Sequence, residues 1–260
     1  MCKVIAICNQ KGGVSKTTST VNLGTGLVRA GKKVLVIDAD PQSNLSQSLG
    51  IKNPDAEEIT LPDIMERIIT DDEFDMTEGV QYHEEGLEFM PCSIGLSAVD
   101  VSLVNAMSRE YVLKQYVDVM REFYDYILID AMPSLGMITI NVLSAADSVL
   151  IPVQAAYLSV RGLEQLITTI AKVKKNINPK LQFEGILISM VDMRLNYAKD
   201  IIDLVKENYG NDIPIFESMI PFSVRASEIS AAGVSIFKNN ERHPVAKAYE
   251  SLTEEVLSNE

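Results

Sequence analysis

The stretch Cys8–Thr18, CNQKGGVSKTT, restricts the fold more than any other in this chain. It follows Lys3-Val4-Ile5-Ala6-Ile7-Cys8, a short apolar run rich in β-branched residues that reads as a buried strand ending at a glycine-rich turn. A helix is predicted next, over Lys16–Ala30, with Val21, Leu27 and Val28 on one stripe and Gly31 where a C-terminal cap belongs. Strand, glycine loop and helix N-terminus together aim backbone N–H groups and the positive end of the helix dipole at one point, which suits an anion. Gly12 and Gly13 let backbone approach a ligand closely, Lys16 neutralises phosphate charge, and the Thr17 hydroxyl is a hard oxygen suited to Mg²⁺. The strict G-x-x-x-x-G-K-[ST] spacing fails in two places, with Gln10 at its first glycine and Ser15 at its second. Taken alone, so altered a motif also reads as a Gly-Gly turn with an exposed Lys-Thr pair beside it.

Three further features favour the phosphate. A second lysine, Lys11, completes KGGVSKTT, which resembles the deviant Walker A signature KGGVGKTT of the ParA and MinD group of ATPases. The strand Lys33-Val34-Leu35-Val36-Ile37 runs into Asp38-Ala39-Asp40-Pro41-Gln42, similar to that family's D-x-D-P-Q. Tyr124-Asp125-Tyr126-Ile127-Leu128-Ile129-Asp130, followed by Ala131-Met132-Pro133-Ser134-Leu135-Gly136, resembles its Walker B strand and switch. Both strands deliver a carboxylate at the C-terminal end, where open α/β sheets place their ligands.

At 260 residues and 47% hydrophobic content the chain can bury a full core, and with no linker or repeat it is expected to form one domain over 1–260. No apolar run is long enough to span a bilayer and no signal-peptide pattern is present. Cys2, Cys8 and Cys92 lack metal-ligand spacing and read as small packing residues of a reduced, cytoplasmic chain. His83 and His243 stand alone and read as structural. The net charge is −13, and residues 52–90 hold thirteen acidic and two basic side chains. The acidity is therefore concentrated in one solvated stretch, which leaves room for a basic face elsewhere.

Along the rest of the chain, Pro41–Gly50 is polar and turn-rich, Leu87–Met90 reads as a short strand, and Ser97–Met120 as a helical region. Ile138–Leu143 reads as helix, Ser148–Val153 as strand, Leu158–Asn176 as helix, Glu184–Val191 as strand and Ile213–Phe216 as a short strand. Such alternation predicts an α/β fold, a doubly wound and mostly parallel sheet with helices on both faces.

The resemblance to ParA extends over nearly the whole chain. It implies that Lys11, Gly12, Gly13, Val14, Ser15, Lys16, Thr17, Thr18 and Pro221 line a bound nucleotide, and that Lys11 reaches the nucleotide of a partner subunit. By the same resemblance Thr17 ligates Mg²⁺ directly, Asp130 and Asp38 act on it through water, and Asp40 orients the attacking water. Arg194 and Arg225 stand where the family carries DNA-binding basic residues, although Phe222 replaces the arginine usual after the proline. The implied protein is a slow, partner-stimulated ATP hydrolase that dimerises with ATP. It binds DNA without sequence preference and partitions DNA with a ParB-like partner, in the cytoplasm or on the nucleoid.

Two other expectations remain open. A MinD-like ATPase would use a C-terminal amphipathic helix on a membrane, and Val245, Tyr249, Leu252 and Val256 do form a stripe. Its polar face carries Glu250, Glu254 and Glu255, which anionic lipid repels, so the helix is expected to pack on the domain. The other is a nucleotide-binding regulatory protein with impaired hydrolysis, which Ser15 keeps in play.

Overall fold

The computed structural model describes residues 2–155, 159–192, 194–224, 232–239 and 241–259, with the backbone alone for 159–161, 196–197 and 239. Seven strands, β1 (Lys3–Ile7), β2 (Val34–Ala39), β3 (Gln81–Tyr82), β4 (Glu88–Met90), β5 (Tyr126–Ala131), β6 (Ser148–Gln154) and β7 (Gln182–Ser189), form one sheet in the order β3-β4-β2-β5-β1-β6-β7. Every pairing is parallel except β3 with β4, which closes one edge. All six residues of β2 and all six of β5 are buried, as expected for strands covered on both faces.

The two-residue period of the strands divides the core. Val4, Ala6, Leu35, Ile37, Ile127 and Ile129 point to one face, where α3 (Leu61–Thr70), α4 (Leu96–Ser102), α5 (Val112–Met120), α6 (Met137–Ala145), α7 (Ser159–Asn176) and α8 (Asn196–Tyr209) pack. Ile5, Ile7, Val34, Val36, Tyr126 and Leu128 point to the other, against α1 (Lys16–Arg29), α9 (Ile236–Asn239) and α10 (Pro244–Ser258). A short helix, α2 (Asn44–Ser48), leads from the end of β2 across the mouth of the sheet.

The stripe Val245, Tyr249, Leu252 and Val256 of α10 is buried against α1, as its acidic outer face predicted. Gly26 permits that approach, because a Cβ there would lie 2.2 Å from Thr253 Oγ1. Ser19 Oγ and Tyr249 Oη hydrogen-bond at 3.1 Å across the same seam.

Two expected elements differ. The helical region over 97–120 is interrupted: after α4 come a 3-10 turn at Leu103–Asn105 and a loop in which Ser108 takes φ 51°. Asn141 of α6 accounts for the break, since its Oδ1 accepts from the Leu113 amide and its Nδ2 donates to the Arg109 carbonyl, so α5 starts afresh there. Ile213–Phe216 is not a strand; it touches β7 at a single parallel bridge, Ile186 with Ile215. Pro214 has no N–H to extend a ladder, and only its carbonyl is used, by the Ile186 amide. The helix expected from Leu158 is described from Ser159 onward, Leu158 itself lying outside the described residues.

Candidate functional site

β1 and β5 pair with Ile7 opposite Asp130, and β2 and β5 with Asp38 opposite Asp130, so three strand ends converge on the loop Cys8–Ser15. Side chains from the strand ends pin that loop. Asn9 donates through Nδ2 to the Pro152 carbonyl at 2.6 Å and accepts the Lys11 amide at Oδ1, 2.9 Å. Ser189 Oγ donates to the Val14 carbonyl at 3.1 Å, and Val14 itself is fully buried. A Cβ on Gly12 or Gly13 would meet nothing within 4 Å; what Gly13 supplies is its φ of +72°.

Ser15 precedes α1 with φ 69° and ψ 24°, the left-handed conformation, and its side chain makes no capping bond. A non-glycine residue there carries about 1–2 kcal/mol of strain. The position of the motif's second glycine, held here by Ser15, is therefore one that asks for glycine.

Lys16 is 8% exposed and donates from Nζ to the Lys11 carbonyl at 3.3 Å. Burial lowers its pKa, while the nearby Asp130 and Asp40 carboxylates pull it back up. The Lys11 side chain is half-buried and makes no hydrogen bond or ion pair among the described residues. Thr17 Oγ1 donates to Asp130 Oδ2 at 2.6 Å, and Asp130 Oδ1 is buried without a partner. Burial, and next the Asp38 charge, push the Asp130 pKa up to about 8. Asp38 is fully buried and its pKa is pushed up to about 7, again by burial, against the opposing effect of its hydrogen bonds. Its Oδ2 accepts the Ser46 amide at 2.9 Å and the Ser46 hydroxyl at 2.7 Å; its Oδ1 accepts the Asp40 amide at 3.2 Å. Asp40, 8% exposed, caps the next turn by accepting the Gln42 amide at 2.9 Å.

Gly12, Gly13, Lys16, Thr17, Asp40 and Pro133 face one cleft of about 680 Å³, whose lining also includes Gly50, Ala232 and Gly233. Pro221 borders a separate small cavity of about 30 Å³ shared with Ser15 and Thr18. The orphaned Asp130 oxygen beside the Thr17 hydroxyl is a pair of hard oxygen donors, which fits a hydrated Mg²⁺.

Arg194 is not part of this cluster. Arg194, fully solvated, pairs with Asp192 at 2.6 and 2.8 Å and holds that carboxylate's pKa down to about 2. Arg225 lies outside the described residues. Asn9, Ser46 and Ser189 were missed by sequence reasoning; nothing in a lone Asn or Ser marks it as a brace for a loop many residues away.

A glycine loop between a buried strand and a helix, with a lysine, a threonine and a strand-end aspartate converging on it, defines a P-loop nucleotide-binding protein. A family model described as an AAA domain matches residues 2–183. The sporulation initiation inhibitor protein Soj of Bacillus subtilis is 40% identical over 260 residues, covering 100% of both chains. The chromosome partitioning protein ParA of Caulobacter vibrioides is 36% identical over 262 residues, covering 99% of this chain and 95% of that one. Among solved structures, cobyrinic acid a,c-diamide synthase of Mycobacterium smegmatis with bound ADP and magnesium superposes with a TM-score of 0.87 at 30% identity, covering 100% of this chain and 95% of that one. The chain belongs to the ParA/Soj family of partition ATPases, within the ParA/MinD superfamily of P-loop proteins.

Proposed function

We propose that this chain is a slow, ATP-dependent dimerising switch that binds DNA without sequence preference and works with a ParB-like stimulating protein to partition DNA. The observation that carries the nucleotide site is the convergence of Lys16 and Thr17 on one cleft beside the glycine loop, with the half-satisfied Asp130 bonded to Thr17 behind it. In this reading 1–260 acts as one P-loop domain, cytoplasmic or nucleoid-associated, and no helix among the described residues is long and apolar enough to cross a membrane. Burial of the α10 stripe leaves a MinD-like membrane helix without its apolar face, which disfavours that alternative.

Loop amides from Gly12 to Thr18 and the Lys16 ammonium hold the phosphates, and Pro221 borders the nucleotide on the Ser15 side. The Thr17 hydroxyl and Asp130 would hold Mg²⁺, which would supply charge neutralisation at the phosphate oxygens. Asp38, with both oxygens engaged by Ser46 and Asp40, holds the segment that carries Asp40, in addition to any contact through water with the metal. Asp40 orients the attacking water, and Lys11 completes the site of a partner subunit. Positioning of this kind tolerates little displacement, so the strain at Ser15 slows turnover more than it weakens binding. Arg194 and Arg225 contribute to the DNA face, where Arg194 first has to exchange Asp192 for phosphate.

The test is a titration with ATP and magnesium followed by sizing with and without nucleotide, on wild type, Lys16→Ala and Lys11→Ala. Lys16→Ala is expected to lose nucleotide affinity, and Lys11→Ala to keep it while losing ATP-dependent dimers. Equal loss of binding in both contradicts the shared site. Random duplex binding should require ATP, fall steeply with salt and weaken in Arg194→Ala and Arg225→Ala. ATP-loaded protein with no duplex affinity at low salt would replace the partition role with that of a non-DNA switch.

A further inference from the structure

His83 reads as a lone histidine in an acidic stretch, yet it is 7% exposed, and the turn it opens grips a segment some 150 residues further along the chain. His83 Nε2 lies 3.0 Å from the Gly233 carbonyl, which only accepts, so Nε2 carries the proton and donates. Glu85 accepts the Ser235 amide at 2.8 Å and the Ser235 hydroxyl at 2.6 Å, and Glu84 pairs with Lys238. From the other side, Asn22 of α1 accepts the Ile236 amide at 2.8 Å. Gly233, with φ +74°, is thereby pressed on Gly50: a Cβ built on Gly233 would lie 3.0 Å from Gly50 Cα and 3.3 Å from its nitrogen. Gly50 closes the segment that begins at Asp40 and contains α2, and both glycines line the candidate nucleotide cleft.

We propose that the His83–Glu85 turn is a clamp that positions the Asp40–Gly50 segment, by holding Gly233–Ser235 against Gly50. His83 and Glu85 are positioning residues and touch no nucleotide themselves. The clamp sets part of the lining of the cleft, so it governs how well Asp40 is placed and leaves phosphate binding by the loop alone. The catalytic half of this inference rests on the ATPase mechanism proposed above; the mechanical half does not.

Amide hydrogen exchange and steady-state kinetics on wild type, His83→Ala and His83→Gln test the two halves separately. The glutamine amide keeps a donor for the Gly233 carbonyl. In His83→Ala, exchange is expected to rise about ten-fold or more at Ile236 and, across the contact, at Gly50 and Ile51, whose amides bond back to Gln47 and Ser46. In His83→Gln it should return toward wild type. Turnover in His83→Ala should fall several-fold with KM for ATP within about two-fold, and recover in His83→Gln. Faster exchange confined to 83–87 and 232–236, or turnover unchanged while exchange at Gly50 rises, overturns the clamp as a positioning device. If wild type itself shows no turnover, the ATPase mechanism fails, and the exchange pattern alone decides whether the clamp exists.

Discussion

Asp38 and Asp130 end neighbouring strands and face each other in register, both desolvated and both raised in pKa by burial. They differ in what surrounds their oxygens. Asp38 is saturated by Ser46 and Asp40, whereas Asp130 has one oxygen bonded to Thr17 and one with nothing. A buried carboxylate with a full set of donors braces a fold, and one with an orphaned oxygen pays a standing desolvation cost that only a ligand relieves. Two aspartates that look alike at the ends of two apolar strands thus divide their labour: one fixes the segment after β2, the other keeps one oxygen unpaired behind Thr17.

The largest expected effect separates them directly. Asp130→Ala should cut ATP turnover by about 10- to 100-fold and raise the magnesium requirement, while nucleotide-free stability stays level or rises. Asp38→Ala should do the reverse, costing about 1–3 kcal/mol of stability by stranding the Ser46 donors, with a smaller rise in the magnesium concentration for half-maximal activity than Asp130→Ala gives. Chemical denaturation and magnesium titrations on the two variants read this, and an exchange of the two phenotypes would invert the division.

A smaller effect comes from the glycine loop itself. Ser15→Gly relaxes the turn that sets Thr17 on Asp130 and leaves the Asp38 network alone. Relief of about 1–2 kcal/mol should tighten nucleotide binding by roughly ten-fold and raise the rate. No change in either means that the left-handed serine is accommodated without strain.

The last is a pH dependence. Both folded-state pKa values are raised, to about 7 and about 8, above an unfolded carboxylate near about 4. Their contribution to stability is fully present below the unfolded value and is lost as pH rises through 7 to 8. Without nucleotide and with chelator, wild type should therefore lose melting temperature relative to Asp130→Asn between about pH 5 and pH 8.5. A parallel pair of curves would remove Asp130 as a titrating group.

The sequence carries this much of the site because its chemistry is local. Lys11 to Thr18 is one loop, and the strands ending in Asp38 and Asp130 are continuous apolar runs that only a doubly covered sheet satisfies. At Ser15 only the departure from the motif's glycine was legible, and its left-handed conformation appears in the structure alone. What escaped depends on contacts distant in the chain. Asn141 divides the 97–120 region from another helix, the proline at 214 limits 213–216 to one bridge, and His83 acquires a partner only when Gly233 folds back over Gly50. Those interactions leave no periodic trace in the residues that make them.

The seam between α1 and α10 also sets an order of events during synthesis. Gly26 accepts Thr253 at a distance that no side chain would allow, and Ser19 meets Tyr249, 230 residues further along, beside it, so the helix leading from the glycine loop is covered by one made much later. Until that helix leaves the ribosome, the face of α1 that carries Ser19 and Gly26 stays open to water. A nascent chain in that state presents sticky apolar surface next to a half-built pocket, a liability that grows with the sequence distance of the contact that cures it. Truncation before Tyr249 should thus release a protein that occupies chaperones and aggregates, although every residue of its glycine loop is already in place.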